Sequence, residues 1–133
     1  MDFGCGGAVF ARQMTEYGWS VEGLDLSASI AAKVQREMGF PVHIGTLPHA
    51  DVRPASFDAI TMWSSLEHVH DPRRVVGAAR DALRADGILL AYVPNLASWS
   101  FDVFREAWVG LDLPRHLIHF TPESLCDLLR REG

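Results

Sequence analysis

The sequence predicts a doubly wound α/β domain on a mostly parallel sheet, and three observations carry that expectation. Helix-period and strand-type segments alternate along all 133 residues, with no repeat and no low-complexity linker. A glycine-rich loop, Gly4-Cys5-Gly6-Gly7, stands between the first strand and the first helix. An acid, Asp25, falls 21 residues after Gly4, where the next parallel strand should end. Strands separated by helices of this length connect through right-handed crossovers, which places ligands at the strands' carboxyl ends.

Each element has a local reason. Only Met1, Asp2 and Phe3 precede the first glycine, so the first strand is expected to be a stub where about 5 or 6 residues are usual. Phe10, Met14 and Tyr17 recur at i, i+4, i+7 among Arg12, Gln13 and Glu16, predicting an amphipathic helix that Gly18 closes. Residues 21–26 read as a short strand. Ser27 then suits the N-cap of a second helix whose buried stripe is Ile30, Val34 and Met38 and whose end is Gly39. Val42–Ile44 is a third, short strand. Residues 57–63 form a nearly continuous apolar run of the kind buried on both faces of a parallel sheet. Asp71-Pro72 pairs an N-cap with a proline at the first helical position and opens a helix through Val75, Val76, Ala79 and Leu83. Residues 88–93 make the fifth strand. Beyond it, Phe101, Phe104 and Trp108 follow i, i+3, i+7, the spacing of a helix's core face, in a place where they also suit an aromatic wall around an apolar substrate. With so short a first strand and an end at Arg130-Arg131-Glu132-Gly133, the chain reads as one domain, 1–133, truncated at both ends: a fragment of a longer protein or the product of a misplaced start.

Composition narrows the function classes. Hydrophobic residues make up 48% and charged residues 22%, ordinary for a globular domain. The net charge is −5 and the basic residues are scattered, with Arg73-Arg74 and Arg130-Arg131 as the only doublets. No basic stripe tracks a phosphate backbone, so nucleic acid is not the expected partner. No run approaches the roughly 18 apolar residues of a membrane span, and the glycine motif begins at residue 2, so a cytoplasmic protein without a signal peptide is expected. Cys5 and Cys126 have no metal-type spacing and read as free thiols.

The glycine loop and Asp25 together point to a nucleotide-type cofactor. Glycines let the backbone turn sharply and bring its N–H groups against a ligand, because no Cβ intervenes. A carboxylate at the end of the second strand can accept both hydroxyls of a ribose. A dinucleotide fingerprint, G-x-G-x-x-G, needs its third glycine at position 9, where this chain has Val9. An NAD-dependent oxidoreductase therefore fits poorly. The bland alternative is an ordinary strand-to-helix turn.

The motif that remains, Asp2-x-Gly4-x-Gly6-Gly7-Ala8, resembles motif I of the class I S-adenosylmethionine-dependent methyltransferases, with Ala8 where the family usually carries another glycine. Phe57-Asp58-Ala59-Ile60-Thr61-Met62-Trp63 followed by Leu66-Glu67-His68-Val69 resembles the family's fourth strand and the loop beyond it. Leu83-Arg84-Ala85-Asp86-Gly87-Ile88-Leu89-Leu90 resembles the turn into the fifth strand. Residues 114–122, Pro-Arg-His-Leu-Ile-His-Phe-Thr-Pro, are similar to a segment of the branch that includes the ubiquinone-biosynthesis O-methyltransferases. The resemblance implies a Rossmann-like fold, S-adenosyl-L-methionine as cofactor, and a small-molecule methyl acceptor reacting at oxygen. It also implies that backbone at Gly4, Cys5 and Gly6 faces the methionine part, that Asp2 orients the loop, and that Asp25 holds the ribose. Leu26 and Leu47 would then flank the adenine, with Thr46, Trp63 and Ser64 completing the pocket.

Relatives with E-x-x-E-H at the loop after the fourth strand resemble a metal site, but Ser64 stands in place of the first carboxylate. No metal is therefore expected, and His70 is the side chain in reach to substitute. Otherwise Glu67 pairs locally and His68 borders the cofactor pocket. Methyl transfer is an in-line displacement that depends chiefly on pose, so a base is optional. His68, His116 and His119 are the base candidates, since imidazole's ordinary pKa of about 6.5 suits proton transfer near neutrality; His116 and His119, with Arg115 beside them, would otherwise be hydrogen-bonded in a structural turn. The non-enzymatic rival is a methyltransferase-like module that only binds cofactor or a partner.

Overall fold

A computed structural model describes residues 1–133. Five parallel strands form the middle layer: β1 (Asp2–Phe3), β2 (Gly23–Asp25), β3 (Val42–Ile44), β4 (Phe57–Trp63) and β5 (Leu83–Tyr92), in the order β3-β2-β1-β4-β5. Chain order reverses on either side of β1, the switch point at which doubly wound sheets open a crevice. β1 has only two residues, yet both are paired on two sides: Asp2 beside Gly23 and Thr61, and Phe3 beside Leu24 and Met62.

Helices α1 (Val9–Glu16) and α2 (Ala28–Met38) cover one face, and α3 (Pro72–Ala82) and α5 (Pro122–Glu132) cover the other; the short α4 (Trp99–Phe104) follows β5. The α3/α5 face holds the larger core, with Leu24, Ile60, Met62 and Leu66 at most 1% exposed. Each such burial stabilises the fold by roughly 1.5–3 kcal/mol. The α1/α2 face is built from smaller side chains, Cys5, Ala8, Ala11, Ala31 and Val34, packed with Phe40 and Val42.

The helix ends are those the sequence specifies. Ser27 accepts from the Ile30 amide, Asp71 accepts from the Arg74 amide with Pro72 behind it, and Gly39 ends α2 with φ of 78°. Gly18 follows α1 with φ of 89°. The buried faces differ from expectation. Tyr17 lies past the end of α1 and is 71% exposed, and Ile30 sits on the rim at 36%, whereas Ala11 and Ala31 are buried completely or nearly so. Small residues let these helices approach the sheet closely, so alanine takes the inner position. β4 is buried at Ile60 and Met62 but only half covered at Ala59 and Thr61, so it is not enclosed on both faces. Leu83 already belongs to β5, where Phe57 faces Leu83 and Ala59 faces Ile88, so residues 84–87 bulge from the ladder. β5 therefore starts before residue 88.

The aromatic spacing at 101–108 does not mark a helix's core face. α4 stops at Phe104, Arg105 takes φ of 47°, and a 3-10 turn over Arg105–Ala107 brings Trp108 back onto Phe101 at 5.6 Å between ring centres. Phe104 is left exposed. No helix is long and apolar enough to cross a membrane.

Candidate active site

The loop after β1 is shaped by left-handed backbone. Gly4 has φ of 71° and Gly6 has φ of 49°. A Cβ on Gly4 would lie 2.5 Å from the Cβ of Ser65, so the loop approaches the end of β4 as closely as only glycine permits. The Gly4 amide donates to the Leu24 carbonyl at 2.7 Å. Asp25 then ties two turns together: its Oδ2 accepts from the Gly6 amide and its Oδ1 from the Ser27 amide, both at 2.9 Å. A carboxylate has about four acceptor positions, so each oxygen keeps one for a further donor.

At the carboxyl ends of β1, β2 and β4 lies a cleft of about 260 Å³ whose walls include Gly4, Asp25, Leu26, Thr46, Ser64 and His68. A second hollow of about 400 Å³ shares Leu26, Thr46 and His68 and adds Pro48, His70, Asp71 and Arg74. Ser64 holds φ of 46°, a strained conformation for a serine, at the turn out of β4. Six of the expected residues thus converge on one cleft.

Others lie elsewhere. Leu47 borders the second hollow but is 2% exposed and belongs to the core, so it presents little surface to an adenine. The Cys5 side chain points into the α1/α2 core beside Gly23, where burial, and after it the charges of Asp25 and Asp2, pushes its thiol up to about 12. Only its backbone belongs to the loop. Asp2 accepts from the Thr61 hydroxyl at 2.8 Å and contacts no loop amide, and burial holds its carboxyl above the ordinary range. Asp25, not Asp2, therefore orients the glycine loop. Trp63 packs edge-on against Phe10 at 5.1 Å and beside Tyr92, outside the lining of the cleft, and Phe104 and Trp108 do not line it either.

The loop after β4 meets the 114–122 segment in a cluster of imidazoles and carboxylates. Amides of Leu117 and Ile118 donate to the Glu67 carbonyl, pinning that segment to the loop after β4. His68 Nδ1 donates to the Arg115 carbonyl at 2.9 Å and His116 Nδ1 to the Gly110 carbonyl at 2.8 Å, which leaves both Nε2 atoms free. The two rings lie 4.8 Å apart, edge to face. Glu67 is 1% exposed and neither of its carboxylate oxygens has a hydrogen-bond partner; His116 Nε2 lies 3.8 Å from Oε1. Asp112 Oδ2 is also 3.8 Å from His116 Nε2, and a hydrogen bond from Arg115 holds the Asp112 carboxyl below its ordinary range. His119 donates to the Leu111 carbonyl, away from the cleft.

The expected gap in a metal site is partly closed. Glu67, His68 and His116 each offer one donor atom within 4.8 Å of the others, so His116 occupies the third position that Ser64 cannot fill, and His70 does not. An orphaned buried carboxylate flanked by two imidazoles with carbonyl-fixed tautomers is a donor set that fits a divalent cation. Sequence reasoning missed Asp71, Arg74 and Asp112. Asp71 reads as a helix cap and Arg74 as half of a basic doublet, and Asp112 joins the cluster only because the 110–116 turn folds back, for which local sequence has no signal.

A family described as "Methyltransferase domain" matches residues 1–133. Proteins named ubiquinone biosynthesis O-methyltransferase are similar: that of Idiomarina loihiensis is 34% identical over 94% of this chain and 56% of its own length, and that of Thiobacillus denitrificans is 37% identical over 100% and 62%. The chain spans about three fifths of these curated relatives. A SAM-dependent methyltransferase of Thermotoga maritima, described as a possible histamine N-methyltransferase, superposes with TM-score 0.79 at 25% identity, covering 99% of this chain and 61% of that one. The [4+2]-cyclase SpnF shares the fold with TM-score 0.69 at 24% identity, covering 99% and 48%. The fold thus also carries chemistry other than methyl transfer. From its matched length, its parallel sheet and its relatives, the chain belongs to the methyltransferase-domain family, with the Rossmann-like fold of the class I enzymes and S-adenosylmethionine as the family's cofactor.

Proposed function

We propose that this chain carries the cofactor site and part of the acceptor site of an enzyme that methylates a hydroxyl group on a small molecule. The observation that carries the reading is Asp25, whose carboxylate braces the glycine loop while keeping acceptor positions at the mouth of the cleft. Asp25 would hold the ribose hydroxyls, the Gly4–Gly6 backbone would face the methionine end, and Leu26, Thr46 and Pro48 of the second hollow would hold the adenine. The cofactor, when bound, supplies a methyl group on a sulfonium for in-line displacement by the acceptor oxygen. The protein's task is to hold the oxygen in line and to receive its proton. His68 is suited to the second task, since Nδ1 is committed to Arg115 and its ring lines the cleft. His116 and Glu67 stand behind it and fix its surroundings. The names of the relatives support oxygen as the acceptor atom.

A second reading of the same cluster is favoured by the orphaned oxygens of Glu67: Glu67, His68 and His116 would hold a divalent cation, which would supply Lewis-acid polarisation of the acceptor hydroxyl. Methyl transfer to a panel of phenols, catechols and amines, measured with and without EDTA, tests both readings. Turnover of hydroxyl acceptors is expected, with kcat lowered at least tenfold in His68→Gln and homocysteine-cofactor affinity unchanged. Turnover confined to amines refutes the oxygen assignment, and indifference to EDTA refutes the cation.

A further inference from the structure

We propose that His43, His49 and Asp51 form a binding site for a divalent transition-metal ion of the zinc class, on the β3 edge of the sheet and separate from the Glu67 cluster. One donor atom from each lies within 4.8 Å of the other two. His43 comes from the edge strand β3, and His49 and Asp51 come from the loop that follows it.

The tautomers make this more than proximity. His43 Nε2 is 2.9 Å from Glu22 Oε2, and an ionised carboxylate only accepts, so the neutral ring carries its proton there and presents a lone pair on Nδ1. That Nδ1 faces Asp51 Oδ2 at 4.0 Å. His49 Nε2 is 3.2 Å from the Ile44 carbonyl, so its proton is fixed in the same way, and its Nδ1 lies 3.8 Å from the same Asp51 oxygen. Both Nδ1 atoms therefore face one carboxylate oxygen, with each ring held from behind by an acceptor. Metal-ligating histidines are oriented by this kind of outer partner.

The surroundings suit an ion. The two rings are 17% and 18% exposed and already packed, whereas Asp51, at 72%, is free to swing inward. Bonds of about 2.1 Å in tetrahedral geometry require donors about 3.4 Å apart, so binding draws the two rings, whose donors lie within 4.8 Å, toward each other as Asp51 swings in. A Cβ on Gly45 would lie 3.1 Å from His49 Cδ2, so glycine there leaves room for the ring. Two nitrogens and one oxygen, with a fourth position open to water, select zinc, cobalt, nickel or copper over calcium and magnesium. The Asp51 amide now donates to His49 Nδ1 at 3.2 Å, a weak bond that the ion would replace. The bound ion would tie the loop to β3, and that loop carries Thr46, Leu47 and Pro48 of the cofactor cleft.

Cobalt(II) titration of the purified chain, read by the visible absorption of tetrahedral cobalt and by zinc competition, tests the site. The expected result is one ion at this site, with its affinity lowered on the order of 100-fold in Asp51→Asn and His49→Gln, about tenfold in Glu22→Gln, and unchanged in His68→Gln. Asp51 is exposed, so its variant keeps the fold and remains decisive if His49→Gln does not. Absence of stoichiometric binding by the parent overturns the proposal. So does binding lost in His68→Gln and kept in Asp51→Asn, which assigns the ion to the Glu67 cluster instead.

Discussion

Replacing Asp25 by alanine removes the acceptor of two backbone amides and, on the proposed function, of the ribose hydroxyls in one change. The two existing bonds, to Gly6 and Ser27, are both 2.9 Å and charge-assisted, and such bonds contribute roughly 1.5–3 kcal/mol each. Gly6 is half-exposed and Ser27 likewise, so water replaces part of what is lost. A stability cost of about 1–3 kcal/mol is therefore expected, a drop of roughly 4 °C in Tm per kcal/mol. If Asp25 holds the ribose as proposed, two hydroxyls lose the same kind of partner, and after the same allowance for water the affinity for S-adenosylhomocysteine should fall at least tenfold, or about 1.4 kcal/mol. Isothermal titration of variants with cooperative melts separates binding from folding. Asp25→Asn, which keeps one carbonyl acceptor, should fall between parent and alanine, and His68→Ala should change affinity far less. A folded Asp25→Ala that binds as tightly as the parent refutes the ribose assignment.

Gly4→Ala places a Cβ 2.5 Å from Ser65 Cβ at a φ of 71°, which adds a clash to a left-handed cost of about 1–2 kcal/mol; its melting temperature and cofactor affinity should both fall below those of Gly6→Ala, whose Cβ meets nothing within 4 Å. Asp2→Asn keeps the acceptor for Thr61 and removes a carboxyl whose pKa burial raises above 3.8. A raised carboxyl stabilises the fold only below its unfolded pKa and loses that contribution as pH rises through the folded value. The variant should therefore match the parent in urea melts near pH 3 and exceed it at pH 7; the reverse order contradicts the burial argument. Of the two thiols, Cys126 is exposed and Cys5 is buried and pushed up to about 12. Because the thiolate reacts, one equivalent of a disulfide reagent should be consumed quickly at pH 8 and the second only on denaturation.

The sequence shows most readily what is local. Ser27, Asp71, Gly18 and Gly39 act through contacts within a few residues, and each ends or starts its helix where expected. The glycine loop and Asp25 are legible because a strand, a helix and a second strand fix their separation. What depends on how closely elements pack is harder to see. Ala11 and Ala31 take the inner positions that hydrophobicity assigns to Tyr17 and Ile30. Cys5 lies in the motif but turns its side chain into the core, and Asp2 spends its acceptor on Thr61. The Glu67–His116 approach joins residues 49 positions apart, through two amides donating to the Glu67 carbonyl, and no spacing within either segment encodes it.

The central claim is that the cleft at the ends of β1, β2 and β4 takes an S-adenosyl cofactor rather than a dinucleotide. Isothermal titration of the parent chain with S-adenosylhomocysteine and, in parallel, with NAD tests it most directly. One-to-one binding of S-adenosylhomocysteine with no measurable heat from NAD is predicted. Equal affinity for NAD, or no binding of S-adenosylhomocysteine by a folded chain, would contradict it.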